Sequence, residues 1–275
     1  MPCKFCLKEP VINLVNNNIK LCKVCFIRYF EKKVFKTIRI YDLLDDCKKI
    51  GIAVSGKNSM IVAHILNKII QQRISKNIEL IAIYIKEDTK NTKLIKEFCK
   101  KENIKLYIYP IKKSQDFSIL IRLLLNKKSR DLKIERLATG HNIDSEVQTV
   151  LMNQLKNNIE RSSRLGVIVN ADDKRLVPRI KPLYFILESE TELYAKLNNI
   201  KYIKNKNKDS LRENVKELLN EMESKYPGTK SNLLNSFIEI LPSLKKKYKT
   251  KIKDCVICGN PSSSNICNVC KLTKS

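Results

Sequence analysis

Residues 48–54, Lys-Lys-Ile-Gly-Ile-Ala-Val, form a short apolar run that stops at Ser55-Gly56. The period then changes. Ile61, Val62, Ile65, Leu66, Ile69 and Ile70 recur at helical spacing, so a strand is predicted to feed a helix here. A second buried strand is predicted over 78–85, followed by a helix over 91–102 and a strand over 104–109. Farther along, Leu137-Ala-Thr-Gly-His-Asn142 ends another short strand. It opens a helix carrying Val147, Val150, Leu151 and Leu155 on one face, with Asn142 or Asp144 placed to cap it. Ser210-x-x-Glu213 resembles a capping box, and the Leu211, Val215, Leu218, Leu219 and Met222 face behind it suits core or dimer packing.

A β-α-β-α-β order predicts an α/β fold with a parallel sheet and helices on both faces. Ligands of such sheets sit at the carboxyl ends of the strands. The 275 residues suffice for one such domain with small appendages. No apolar run reaches the roughly eighteen residues of a membrane span, and the N-terminus has no signal-peptide pattern, so a cytoplasmic protein without membrane association is expected.

Charge changes the picture. Lys and Arg exceed Asp and Glu by 26, a field that attracts polyanions, RNA first among them. An AT-rich composition would inflate Lys, Ile and Asn together, but it would raise Glu as well, so it does not explain the imbalance.

Cysteine spacing adds metal chemistry. Cys3/Cys6 and Cys22/Cys25 form one set of C-x-x-C pairs, and Cys255/Cys258 and Cys267/Cys270 a second. Two such turns present four thiolates to one ion, so two structural zinc sites are expected, each fully coordinated and not catalytic. Disulfides or a redox dithiol are the competing readings. Cys47 and Cys99 stand alone in helical-looking contexts and read as ordinary half-buried thiols. The predicted organisation is an N-terminal zinc finger over 1–35, the α/β domain over 36–205, a helical extension over 206–245 and a zinc ribbon over 246–275.

The first strand-to-helix turn, Ser55-Gly56-Lys57-Asn58-Ser59, combines small residues, hydroxyls and backbone N–H groups at a helix N-terminus, which suits an anion. A plain tight turn would look the same. Gly51-x-x-x-x-Gly56-Lys57-Asn58 nearly spells a Walker A loop, but Asn58 replaces the magnesium-binding hydroxyl and Ile52-Ala53-Val54 belongs to a strand. Gly140, His141 and Asn142 are expected beside this turn at the same sheet edge, although His141 also reads as a structural histidine.

Taken together, the terminal C-x-x-C pairs, the Ser-Gly loop, Ala-Thr-Gly-His-Asn, Pro178-Arg-Ile-Lys-Pro-Leu183 and Tyr226-Pro-Gly-Thr-Lys230 resemble, in that order, the PP-loop ATP-pyrophosphatase family that makes 2-thiouridine in tRNA. The archaeal and eukaryotic branch is the most similar, and Leu21–Glu31 and Gly140–Asn142 carry the most specific likeness. The resemblance implies tRNA as partner and ATP with magnesium as cofactors, the uridine C2 oxygen being adenylated before sulfur displaces AMP. Ser55, Gly56, Lys57, Ser59, Gly140, His141 and Asn142 are the implied nucleotide-binding positions, and Asp144 the implied catalytic carboxylate. In several branches sulfur arrives on a ubiquitin-like carrier, which makes such a protein an implied partner.

The chain departs from the family pattern at the reaction centre. The family loop reads Ser-Gly-Gly-x-Asp-Ser; here one Gly is gone and Asn58 replaces the acid. The second Asp of His-Asn-x-Asp-Asp is Ser145. A family C-x-x-C falls on Ser114 and Phe117, a family lysine on Ile121, and no cysteine lies between Cys99 and Cys255, so no iron–sulfur cluster is expected. These changes imply a tRNA-binding member that has lost most of its catalysis and acts as a scaffold, as a homodimer, or as the inactive half of a heterodimer with an active paralogue. The alternative is an active ATP-dependent tRNA 2-sulfurtransferase with a rearranged, cluster-free site, in which Lys57 replaces the lost cation. A third reading is another nucleotide-dependent RNA modification on the same fold. Two lysine-rich stretches, 201–208 and 245–253, read as solvated linkers or as phosphate contacts.

Overall fold

The computed structural model describes residues 2–14, 18–72, 78–86, 89–111, 117–169, 173, 175–202, 210–249, 252–257, 259, 261, 262, 264–267, 270 and 271. Strands β1 (Ile12–Leu14) and β2 (Ile19–Leu21) form an antiparallel hairpin before helix α1 (Lys23–Ile40). The α/β order follows: β3 (Lys49–Ala53), α2 (Lys57–Gln71), β4 (Glu79–Lys86), α3 (Thr89–Lys101), β5 (Lys105–Pro110), α4 (Phe117–Asp131), β6 (Arg136–Ala138) and α5 (Ile143–Leu155). Next come α6 (Ile159–Ser162), β7 (Ile168–Val169), β8 (Arg179–Ile180), α7 (Glu188–Leu197), α8 (Ser210–Lys225), α9 (Thr229–Lys247) and the β9 (Lys253–Asp254)/β10 (Pro261–Ser262) pair.

The central sheet runs β5-β4-β3-β6-β8-β7, parallel throughout except for β7 against β8. The predicted α/β class is therefore observed, with one antiparallel edge. β4 explains the uninterrupted apolar run: Ile81, Ile83 and Ile85 pack with Leu125 of α4, while Ala82 and Tyr84 join the core containing Met60, Ile95 and Phe98. A strand covered on both faces has no polar side to alternate with.

After β3 the chain winds outward through β4 and β5, then returns to pair β6 on the other side of β3. The switch point thus lies between β3 and β6, where the loops after the two strands part. Helix α1 is fastened across this frame. The Glu31 carboxylate accepts from Lys68 Nζ at 2.8 Å and from Tyr194 Oη at 2.9 Å, and the Phe30 and Tyr194 rings stack at 4.2 Å.

Two expectations change. Cys47 lies not in a helix but in the turn region after α1, because Asp42 and Asp46 adopt left-handed φ of 48° and 54° and stop helical propagation. On α8, of the core and dimer readings, core packing holds for Val215 and Leu219 only, Leu218 and Met222 being exposed, and Leu155 of α5 is exposed as well. Among the described residues no helix is long and apolar enough to cross a membrane.

Candidate functional site

The two motifs meet at the switch point. A Cβ on Gly140 would lie 2.5 Å from Ser59 N and 2.7 Å from the Asn58 carbonyl carbon, so only glycine lets the β6 turn press against the first turn of α2. The hydroxyl of Ser59 closes the α2 loop on itself. It accepts from the N–H of Ser55 at 2.9 Å and of Gly56 at 3.1 Å, and donates to the Gly56 carbonyl at 2.8 Å. The amides of Ser55 and Gly56 are thereby satisfied internally.

Asn142 caps α5: its Oδ1 accepts from Ser145 N at 3.1 Å, while Ser145 Oγ accepts from Asn142 N at 2.9 Å. Of the two candidate caps, the side chain of Asn142 does the work. Ser145, the position of the missing second carboxylate, is thus used in a reciprocal cap.

Glu188, which sequence reasoning passed over, is the hub. Its carboxylate accepts from Lys57 Nζ at 2.7 Å, Asn58 Nδ2 at 3.0 Å and Asn142 Nδ2 at 2.6 Å, joining the loops after β3 and β6 to the start of α7. Burial works against its charge, but the hydrogen bonds from Asn58, Lys57 and Asn142 prevail and hold the carboxyl below its ordinary range. Asn58 Oδ1 is left buried with no hydrogen-bond partner. Asp144 accepts from Glu188 N–H at 2.7 Å and is ion-paired with Lys230, whose Nζ also donates to Asn220 Oδ1 at 2.6 Å. Lys230 stands in the Tyr226–Lys230 motif, held by the Glu223 carboxylate, which accepts from the N–H groups of Gly228 and Lys230.

His141 Nδ1 lies 3.0 Å from Thr139 Oγ1, which itself is 3.4 Å from the Ile180 carbonyl. If the hydroxyl donates to that carbonyl it accepts from Nδ1–H, which leaves Nε2 as an acceptor. The residue keeps an exposed edge, and the protein packed around the ring, then the cations Lys181, Arg122, Arg179 and Arg212, lower its pKa and keep it neutral near pH 7. Beneath it the buried Lys181–Glu146 pair closes at 2.8 Å; burial raises the acid and lowers the base while their attraction opposes both shifts.

At the N-terminus, the sulfurs of Cys3, Cys6, Cys22 and Cys25 lie within 4.8 Å of one another, with Cys6–Cys22 at 3.4 Å and Cys25–Cys6 at 3.6 Å. A tetrahedral ion with metal–sulfur bonds of about 2.3 Å sets its sulfurs about 3.8 Å apart, so the set fits a metal. Cys255, Cys267 and Cys270 form a second, buried set within the same limit. Cys258 lies outside the described residues, as do Ser114, the side chain of Phe117 and most of the 201–208 lysine stretch.

Residues 29–221 match the family model of the PP-loop domain, about seven-tenths of the chain. The chain is 33% identical, over 98% of its length and 93% of the relative's, to a tRNA-5-methyluridine(54) 2-sulfurtransferase of Pyrococcus horikoshii. It belongs to the PP-loop tRNA 2-thiolation family. Another member, the cytoplasmic tRNA 2-thiolation protein 1 of Candida glabrata, is 26% identical over 98% of this chain and 85% of its own. Among solved structures, the U34-tRNA thiolase NcsA from Methanococcus maripaludis with its [4Fe-4S] cluster superposes with a TM-score of 0.84 at 28% identity, covering 100% of this chain and 96% of that one.

That family structure corrects one expectation. Absence of cysteine between Cys99 and Cys255 was the ground for expecting no iron–sulfur cluster, yet a relative of the same fold over its full length carries one, and this chain gathers thiolate sets suited to a metal. The thiolates so gathered lie at its two ends.

Proposed function

We propose that this chain binds tRNA for uridine 2-thiolation but is impaired in the ATP-dependent step, serving as a scaffold or as one half of a homodimer or of a heterodimer with an active paralogue. One observation carries the reading. The amides of Ser55 and Gly56 are taken by Ser59, while Lys57, Asn58 and Asn142 converge on the Glu188 carboxylate across the cleft. An incoming triphosphate would have to displace these bonds and would meet a carboxylate at the mouth. Asp144, the carboxylate left to handle magnesium, is engaged by Lys230 and the Glu188 amide. The excess of 26 positive charges supports tRNA as the partner. The name of the Candida relative supports a cytoplasmic setting, and a ubiquitin-like sulfur carrier would serve the active partner. In this reading the thiolate knots bound a PP-loop domain of 36–205 and a helical extension of 206–245.

Calorimetry of Mg-ATP against the metal-loaded full chain, with and without tRNA, tests the proposal. No heat from Mg-ATP alongside salt-sensitive tRNA binding is the expected result. Micromolar Mg-ATP binding overturns it and leaves an active tRNA 2-sulfurtransferase with a rearranged site as the better reading. That second reading has its own support in Asn58 Oδ1, a buried acceptor with no partner where the family has a carboxylate, since an amide oxygen is a competent magnesium ligand.

A further inference from the structure

Helix α4 is clamped to the segment leading into β8 by one side chain. Asn126 donates through Nδ2 to the Arg175 carbonyl at 2.9 Å and accepts at Oδ1 from Val177 N–H at 2.9 Å. One turn earlier on the same helix, the Arg122 carbonyl accepts from Arg179 Nη2 at 3.2 Å. β8 pairs with β6, Leu137 opposite Arg179, which brings Arg179, and with it the α4 turn at Arg122, beside the strand whose following turn carries His141. The Arg179 guanidinium is therefore held against the α4 backbone at Arg122, close enough for the Arg122 charge to act on it, at the ligand edge of the sheet.

Among the described residues neither Arg122 nor Arg179 meets a carboxylate, whereas the nearby Lys181 is neutralised by Glu146. Burial, then the charge of Arg122, lowers the pKa of Arg179 to about 10. Close, carboxylate-free guanidinium groups repel one another and stabilise nothing by themselves. They become favourable when a tetrahedral oxyanion enters, because each planar fork can give it two charge-assisted hydrogen bonds. His141, kept neutral by the protein around it and by Lys181 and these two cations, lies near them as an acceptor that would take a proton once an anion arrived.

We propose that Arg122 and Arg179, with the His141 ring beside them, form a phosphate-binding subsite on the β6–β8 side of the cleft, separate from the Ser55–Ser59 loop. The ligand chemistry is a phosphate oxyanion, from either an RNA backbone phosphodiester or the polyphosphate of a nucleotide. The subsite itself does not depend on the impaired-enzyme reading; only the choice between those sources touches it.

The test uses the full, metal-loaded chain with a tRNA transcript and inorganic pyrophosphate as separate probes. The sequence holds two histidines, so the Cε1–H resonance of His141 is assigned against that of His64 with His141→Gln. A bound phosphate is expected to raise the His141 titration midpoint by about a unit or more. Arg122→Gln and Arg179→Gln are each expected to weaken binding about tenfold or more and to lower the salt slope of tRNA binding by about one. A midpoint shift with tRNA and none with pyrophosphate assigns the backbone as source; a shift with pyrophosphate that Mg-ATP competes away assigns the nucleotide. Arg122 is exposed on α4, so Arg122→Gln decides the matter should Arg179→Gln fail to fold. An unmoved His141 signal with both probes, or a folded Arg122→Gln chain that binds both as tightly as wild type, overturns the subsite. Mg-ATP binding at the Ser55–Ser59 loop would refute the proposed function and leave this subsite standing, so the two failures are distinguishable.

Discussion

Glu188 concentrates the consequences of the shortened loop in one side chain. Its pKa is depressed in the fold, so the stability it contributes is complete above its ordinary value of 4.5 and is lost as pH falls through the lower folded value. Glu188→Gln is accordingly expected to destabilise the chain at pH 7 by about 1 kcal/mol, discounted for solvent screening of a side chain that is 39% exposed. The difference from wild type should shrink in acid as the native carboxylate protonates, which urea titrations at pH 7 and below pH 4 would measure. A gap that stays constant with pH would mean that packing, not charge, holds the loops. Nothing in the neighbourhood of Glu188 marked it in the sequence. Its partners Asn58 and Asn142 are 130 and 46 residues away, and no local spacing encodes such a meeting. Ser59, Gly140 and Asn142, by contrast, were legible, because turn chemistry is a matter of a few adjacent residues.

At the scale of elements, α5 shows how a helix can be readable at its start and obscure along its length. Its cap follows from the identities of Asn142 and Ser145. Its buried face also holds Glu146, a charge that periodicity alone would assign to solvent. That carboxylate is tolerated because Lys181, the residue just after β8, meets it at 2.8 Å, and both side chains are almost fully enclosed. Glu146→Ala should then leave an uncompensated buried lysine and cost about 3–5 kcal/mol, read from the urea midpoint. A Glu146→Ala/Lys181→Met double variant is expected to recover much of that loss. If the double variant is no better than the single, the pair is not the reason for the cost. Helix α8 makes the opposite point: an unbroken apolar face was evident, yet Val215 and Leu219 are buried while Leu218 and Met222 are exposed.

Over the whole molecule, the two thiolate sets sit at opposite ends of the chain, in segments too short to hold a core of their own. The β1–β2 hairpin is two three-residue strands, and β9–β10 is shorter still. Metal analysis of the purified chain should find ions bound through these thiolates, and removing them with a chelator should lower the melting temperature. Visible charge-transfer absorption would identify iron–sulfur in them, and its absence with bound metal would identify zinc. A metal-free chain with unchanged melting would rule out the role. The α/β class, the strand-helix order, the thiolate pairs and the turn after β3 were determined by sequence alone, because each rests on local periodicity or on spacings of a few residues. Tertiary structure decided what the cleft contains. It brought Glu188 onto Lys57, Lys230 onto Asp144, and Arg179 against Arg122, and in each case the charge's fate depends on a partner dozens of residues away. A charged residue reads the same along the chain whether it meets water, a counter-ion or another cation; burial and distance, which only the fold sets, separate the three.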